Sequence, residues 1–408
     1  MKKPFLAAIV TASLFIQLHP QEKLSAAKTF LETKEKSGLE AALLWFDGLD
    51  AERAQQYLCA ENEFLNIGKE MRSFGYVEEA ARFFKKATEL IPQSSLVWEN
   101  LGMTQVRLLR KDEAVRCFQQ AIAVDPKNQG AQVQLKMIDL LLESTRHETR
   151  AKMNFRPGEN TGVQGPYLGQ RPPGLKPELF APGIVSVFGS NENTVTLSPD
   201  GRELYFGKES GIWVCRWTEK GWTAPQNTGW PGYEMWISPH NEKMYYTGYE
   251  PGIWVMERAG AEWGRPQKIV SNGMFSTLTE DETLYTTVFS EKGKANVGRY
   301  VKKDGTYETP EVLGPEINSP GGFDAHPNIA PDGNVLLFDR QLPEGNRLFV
   351  SFRGPDGGWS PAQPLGAEFN GSVSTFSPDG KYLFFMKNRD IYWADAKIIE
   401  GLRPKKEK

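Results

Sequence analysis

Charged and aromatic side chains recur at fixed distances from five turn tetrads in the second half of this chain. The tetrads are SPDG at 198, SPHN at 238, TEDE at 279, APDG at 330 and SPDG at 377. Groups of this kind bind polar ligands, and two suitably spaced carboxylates hydrolyse glycosidic bonds. The side chains that we expect to converge at one opening are Glu192, Lys208, Tyr233, Glu234, Trp236, Phe323, Asp324, His326, Arg340 and Lys387.

The sequence signatures of common enzymes are missing. There is no GxSxG, HExxH or P-loop, and no GxGxxG between a strand and a helix. Among the four histidines only His326 stands with other candidate groups, and one histidine does not make a metal site. We therefore predict binding without turnover, with no metal and no cofactor. A glycoside hydrolase is the alternative, in which Glu192, Glu234 and Asp324 would supply two carboxylates.

Short β-rich segments surround each tetrad and would position these side chains. Around the first tetrad they are TVTL, ELYFG, GIWVCRW and GWTAPQ, and the tetrads are 40, 41, 51 and 47 residues apart. In SPDG the proline suits the second position of a type I turn and the glycine closes the turn. Four strands per unit at this period indicate the blade of a β-propeller. We predict five blades, with six as the alternative.

The repeats resemble the WD-like "PD" repeats of TolB-type β-propellers, and the predicted domain spans 175–400. The last copy ends at IYWADA without the Trp-x-x-Pro ending, while GLKPELFAPGIVS stands before the first blade. We expect residues 175–187 to form the outermost strand of the last blade, which would leave no open edge in the ring. This type of repeat favours binding over glycoside hydrolysis.

A 34-residue repeat fills much of the first half, where residues 61–94 and 95–128 align in register. Gly68 aligns with Gly102, and a glycine inside a helix costs roughly 0.5–1 kcal/mol relative to alanine. The paired glycines therefore indicate a contact that excludes a side chain. The two units resemble the tetratricopeptide repeat, and flanking helical segments complete a predicted α-solenoid domain at 24–143.

The resemblance to the tetratricopeptide repeat implies a peptide groove along the first helix of each unit. The basic side of such a groove would favour an acidic segment or a chain terminus. A solvated helix face is the alternative interpretation. The matching positions are Asn62, Leu65, Lys69, Arg72, Glu99, Met103 and Arg107.

The remaining segments set the domain boundaries. Residues 1–21 contain two lysines and then an apolar run, a signal-peptide pattern that is too short for a comfortable membrane span. An uncleaved signal anchor is the alternative. Residues 144–174 are rich in glycine and proline and predict a linker between two separately folding domains, and residues 401–408 predict a basic tail.

These observations predict an α + β multidomain protein that is exported to the periplasm or outside the cell. The formal net charge of −3 gives no reason to expect nucleic acid as a partner, and no membrane span is expected after signal cleavage. We predict a non-catalytic scaffold. It would bind a protein or peptide through its repeats, and a partner, a small polar ligand or a glycan at the propeller mouth.

Overall fold

The computed structural model describes residues 23–146, 151–153, 155–208, 211–230, 232–248, 250–290, 293–330 and 332–404. The predicted signal peptide at 1–21 and the last residues of the predicted basic tail lie outside the described residues. Within the part of the chain that the structure describes, no helix combines the length and the apolar character that a membrane crossing requires.

Helices occupy the first half of the chain, as predicted. Two short strands, β1 and β2, pair in parallel beside them. The elements are β1 Leu24–Ser25, α1 Ala26–Ser37, α2 Leu39–Asp47, α3 Ala51–Ala54, β2 Tyr57–Leu58, α4 Glu61–Ser73, α5 Val77–Leu90, α6 Ser95–Arg107, α7 Lys111–Val124, α8 Gln129–Lys136 and α9 Ile138–Arg146. Helices α4 and α5 form the first 34-residue unit, and α6 and α7 form the second.

The aligned glycines lie where the two helices of each unit approach closely. A side chain at Gly68 would overlap the ring of Phe84, and a Cβ at Gly102 would lie 2.7 Å from Cε1 of Phe118. Both phenylalanines are completely buried. The prediction of a contact that excludes a side chain is confirmed.

We expect Gly68→Ala to lower the free energy of unfolding by about 1–3 kcal/mol, because the new methyl group must displace the buried Phe84 ring. Chemical denaturation of the full-length protein measures this difference. Gly174→Ala is the matched control, since nothing lies within 4 Å of a Cβ at that position. If Gly68→Ala is as stable as the control, the close helix contact is wrong.

Antiparallel strands fill the second half and form five sheets. In chain order the first of these strands is β3 Glu178–Leu179, and it is followed by β4 Glu192–Leu197, β5 Glu203–Lys208, β6 Gly211–Thr218, β7 Gly221–Trp222 and β8 Gln226–Asn227 in blade 1, and by β9 Tyr233–Ile237, β10 Lys243–Thr247, β11 Ile253–Ala259, β12 Glu262–Trp263 and β13 Gln267–Val270 in blade 2. Those of the later blades are β14 Met274–Leu278, β15 Leu284–Phe289, β16 Ala295–Tyr300 and β17 Glu311–Val312 in blade 3, β18 Asp324–Ile329, β19 Val335–Leu342, β20 Gly345–Phe352 and β21 Gln363–Pro364 in blade 4, and β22 Ser372–Phe376, β23 Tyr382–Lys387 and β24 Asp390–Asp395 in blade 5.

The first strands of the five blades contact one another in a closed ring, in the order β4, β9, β14, β18, β22 and back to β4. These inner strands surround a central channel. The five-bladed propeller is thereby confirmed.

The last blade takes its outermost strand from the segment before the first blade. Strand β3 pairs with β24, with Leu179 opposite Tyr392 and Glu178 opposite Trp393. Pairing was expected over 175–187, but the regular strand is limited to Glu178–Leu179, and single main-chain bonds join Phe180 to Ile391 and Asp395 to Gly174 on either side of it. The predicted closure of the ring is confirmed with these narrower bounds.

The segment that joins the helices to the propeller contacts both of them. The N–H of Met153 donates to the carbonyl of Phe74 at the end of α4, and the N–H of Phe188 donates to the carbonyl of Ala151. Further along, Asn160 pairs with Thr223 at the outer edge of blade 1. The separate folding of the two domains stays a prediction.

Candidate functional site

Two of the predicted acidic residues form ion pairs with predicted basic residues of the same blade. In blade 1, Glu192 lies opposite Lys208, with 4.0 Å between carboxylate and ammonium, and both side chains are buried. In blade 4, Asp324 lies opposite Arg340, whose Nε donates to Oδ1 at 2.5 Å. The common spacing from the tetrads therefore corresponds to cross-strand pairing within a blade.

A buried cluster of three ionisable groups connects blades 2 and 4 across the channel. His326 on β18 lies with Nε2 at 3.4 Å from Glu234 on β9 and with Nδ1 at 2.7 Å from Asp339 on β19. Burial alone would lower the pKa of His326, but the carboxylates of Asp339 and Glu234 raise it to about 10. The imidazole is therefore a cation at neutral pH, held between two anions.

Four inner strands carry a non-glycine residue with positive φ at the same distance from the tetrad. These are Glu234 (54°), Phe275 (52°), His326 (51°) and Val373 (51°). The inner-strand pairing shifts register here, as in a β-bulge, which redirects side chains toward the channel. Such backbone strain costs of the order of 1–3 kcal/mol per residue and persists only where the surroundings fix it.

Side chains of the preceding blades fix three of these bulges. The N–H groups of Phe275, His326 and Val373 donate to Thr247 Oγ1, Thr287 Oγ1 and Asp339 Oδ1 at 2.8, 2.8 and 3.0 Å. Each acceptor stands on the second strand of its blade. These acceptors were not among the predicted site residues, although Asp339 is adjacent to the predicted Arg340 and its spacing to the tetrad could have indicated it.

Convergence of the other predicted mouth residues at one opening stays a prediction. Trp236 is half-buried and lines a cavity of about 80 Å³ with the tetrad prolines Pro199, Pro239 and Pro378. Lys387 donates to the carbonyl of Glu368 at 2.9 Å, and burial lowers the pKa of its ammonium. Tyr233 and Phe323 are half-buried.

The predicted groove residues of the helical repeats differ in exposure. Asn62 and Lys69 are exposed, and Glu99 and Met103 are half-buried. Leu65, Arg72 and Arg107 are buried, and Nη1 of Arg72 lies 3.3 Å from Oγ1 of Thr104.

A cavity of about 680 Å³ lies between α4 and blade 1. At its wall the Phe74 ring meets Trp213 edge-on at 5.5 Å, and Lys208 Nζ lies 5.3 Å from the centroid of Trp213. The lining residues are Asn66, Lys69, Glu70, Arg72, Ser73, Phe74, Pro157, Lys208, Gly211, Trp213, Gln226 and Asn227. Residues of the predicted repeat groove and of the predicted propeller mouth thus border the same cavity.

Comparison with known proteins finds similarity in both halves. Residues 95–128 match the tetratricopeptide repeat family. No curated protein matches the chain at a significant level. Among solved structures, a putative TolB from Agrobacterium tumefaciens is 16% identical over 48% of this chain and 70% of that chain, with a TM-score of 0.36.

Two further solved structures show similarity at the same level. TolB from Acinetobacter baumannii is 14% identical over 65% of this chain and 69% of that chain, with a TM-score of 0.38. A thermostable family-43 glycoside hydrolase is 10% identical over 50% of this chain and 88% of that chain, with a TM-score of 0.37. These scores are too low to support an argument about function. The chain combines a tetratricopeptide repeat at 95–128 with a five-bladed β-propeller.

Proposed function

We propose that the protein is a non-catalytic binding protein that holds a polar protein or peptide partner in the cavity between its helical repeats and blade 1. The observation that carries this proposal is the shared lining of that cavity. Helix α4 contributes the exposed Asn66 and Lys69, and blade 1 contributes the exposed Gln226 and Asn227. A volume of about 680 Å³ falls in the usual range for ligand sites. A glycan or another small polar ligand is the alternative occupant.

The contacts of the predicted carboxylates support binding without turnover. Glycoside hydrolysis needs one carboxyl group as proton donor and a second as nucleophile or base. Asp324 accepts from Arg340, Glu234 faces His326, and Glu192 lies beside Lys208. Each carboxylate thus has a cationic partner within the propeller. We therefore favour a scaffold over a glycoside hydrolase.

We also propose export to the periplasm or the extracellular space. The support is the sequence of residues 1–21, where lysines precede an apolar run. A partner would then be sought among exported proteins.

Site-specific cross-linking tests the proposed binding cavity. A photoreactive phenylalanine analogue replaces Asn66 or Gln226 in the full-length protein, and adducts from extract of exported proteins are identified by mass spectrometry. We expect the same adduct from both positions, because both line one cavity. Glu308, which is exposed on blade 3, is the control position and should give none. Adducts at Tyr233 but not at either cavity position would contradict the proposal.

A further inference from the structure

The chain itself adds an extended segment to the outer edge of blade 1. Residues 158–163 run antiparallel to residues 222–224. The N–H of Trp222 donates to the carbonyl of Val163 at 3.0 Å, and the N–H of Thr161 donates to the carbonyl of Trp222 at 2.9 Å. The pairing continues with the N–H of Ala224, which donates to the carbonyl of Glu159 at 2.6 Å. The edge of blade 1 is therefore able to accept an extra extended segment.

Residues 158–163 cover only part of the outer edge of blade 1. The last of these bonds is the one that Gly158 donates to Ala224, and the preceding residue, Pro157, has no N–H to donate. The chain then continues toward the helical repeats, where Met153 bonds to Phe74. Strand β8, which follows residue 224, is left to border the cavity together with Pro157.

Asn227 borders the cavity, and the pairing of its neighbour fixes the direction of its backbone groups. The N–H of Thr228 donates to Ile212 on β6 at 2.9 Å, and neighbouring residues of an antiparallel strand point to opposite sides. The N–H and carbonyl groups of Asn227 therefore point away from β6, on the side where residues 158–163 add further along the edge. Another extended segment placed there would form main-chain hydrogen bonds with Asn227.

The charges at the cavity favour an acidic segment. Its lining contains Lys69, Arg72 and Lys208 against one carboxylate, Glu70. The negative charge of Glu70 is offset by Lys34 at 3.3 Å, and the positive charge of Lys208 is offset by Glu192 at 4.0 Å. The lining therefore keeps an excess of positive charge. Lys69 is exposed on the α4 side of the cavity, opposite β8. A surplus of positive charge in a cleft attracts anionic partners.

We propose that the cavity receives an extended acidic segment of a partner protein, which adds to blade 1 beside Asn227 as residues 158–163 do further along the edge. In this mode of recognition main-chain hydrogen bonds supply affinity, and alternate side chains supply specificity. The inference rests on the proposed function and names the occupant of that cavity.

Blocked peptides test this inference on the full-length protein. The probe is a fluorescein-labelled, terminally amidated hexapeptide of alternating glutamate and valine, and binding is followed by fluorescence anisotropy at low salt. We expect saturable binding, with affinity about tenfold lower when alternate amides are N-methylated, because methylation removes the pairing N–H groups. We also expect slower hydrogen exchange at Asn227 when the unmethylated peptide is bound.

Charge variants complete the test. Lys69→Glu is expected to weaken binding of the glutamate peptide by about tenfold. Lys36→Glu is the control and is expected to leave the binding unchanged, because Lys36 is an exposed lysine on α1 outside the cavity. Equal binding of the N-methylated peptide would overturn strand addition, and equal binding of a lysine–valine peptide would overturn the charge preference. Absence of peptide binding, with cross-links at Asn66 and Gln226 present, would overturn this inference alone. Absence of those cross-links would overturn the proposed function.

Discussion

Replacing His326 with alanine is expected to lower the free energy of unfolding by about 3–5 kcal/mol, because it leaves two buried carboxylates without the cation between them. In the folded protein Glu234 and Asp339 lie 3.4 and 2.7 Å from the two imidazole nitrogens. Chemical denaturation of the full-length protein measures the loss. A variant within about 1 kcal/mol of the wild type would show that the cluster does not stabilise the ring.

Two further variants separate charge from backbone strain. Asparagine tolerates the positive φ of position 326 better than alanine does, so His326→Asn removes the charge with little added strain. We expect His326→Asn to be nearly as unstable as His326→Ala. Adding Glu234→Gln to His326→Asn should recover part of the stability, because it removes one of the two uncompensated charges. No recovery would point to lost packing against Phe275 instead.

The same cluster gives a defined pH dependence. The carboxylates raise the pKa of His326 from 6.5 to about 10 in the folded protein, against the effect of burial. The unfolded chain therefore loses this proton at lower pH than the folded chain, so the stabilisation is complete below about pH 6.5 and is lost as the pH rises through about 10. The stability difference between wild type and His326→Asn should shrink over that range. A difference that grows with pH would contradict the assignment.

Phe180→Ala is expected to lower the free energy of unfolding by about 3–5 kcal/mol, as removal of a fully buried phenylalanine does. Phe180 follows β3 directly, and its ring centroid lies 5.0 Å from Phe384 and 5.1 Å from Trp393. Its N–H also donates to the carbonyl of Ile391 at 2.8 Å. The substitution therefore weakens the contact by which the start of the propeller completes the last blade.

Leu175→Ala is the matched control for this prediction, because Leu175 belongs to the same segment and is 52% exposed. We expect it to change stability by no more than about 0.5 kcal/mol. Thermal and chemical denaturation of both variants give the comparison. Equal stability of the two variants would show that residues near β3 do not hold the ring closed.

The repeating elements of this fold were predictable from local sequence. The tetrad spacing gave the blades, because each turn and its flanking strands form one structural unit. The aligned Gly68 and Gly102 indicated the close helix contacts that the structure shows. The missing ending of the last copy indicated the strand β3. In the first two cases the pattern and the contacts lie within one repeated unit, and in the third the comparison of the copies shows which strand the last unit lacks.

The candidate site was harder to predict, because its residues contact one another through cross-strand pairing and packing, for which the sequence contains no motif. Glu192 and Lys208 share a register with residues of other blades, yet each contacts its partner across one hairpin. Antiparallel strands pair residues at similar distances on either side of a turn, so a count from the turn selects both partners.

The cavity depends on how the helical repeats lie against blade 1. The contact of Phe74 with Trp213 contributes to that placement, and so does the close approach of Gly189 to Val77. These residues belong to different parts of the chain with no repeated spacing between them. The cavity was therefore not predictable from the sequence.

Hydrogen exchange of the full-length protein with and without the partner identified by cross-linking tests the central claim most directly. The claim is that the cavity between α4 and blade 1, rather than the central channel, holds the partner. It predicts slower exchange at residues 66–74 and 224–228, with no change in the inner strands at 232–237 and 372–376. Slower exchange in those inner strands, with none at the cavity, would contradict it.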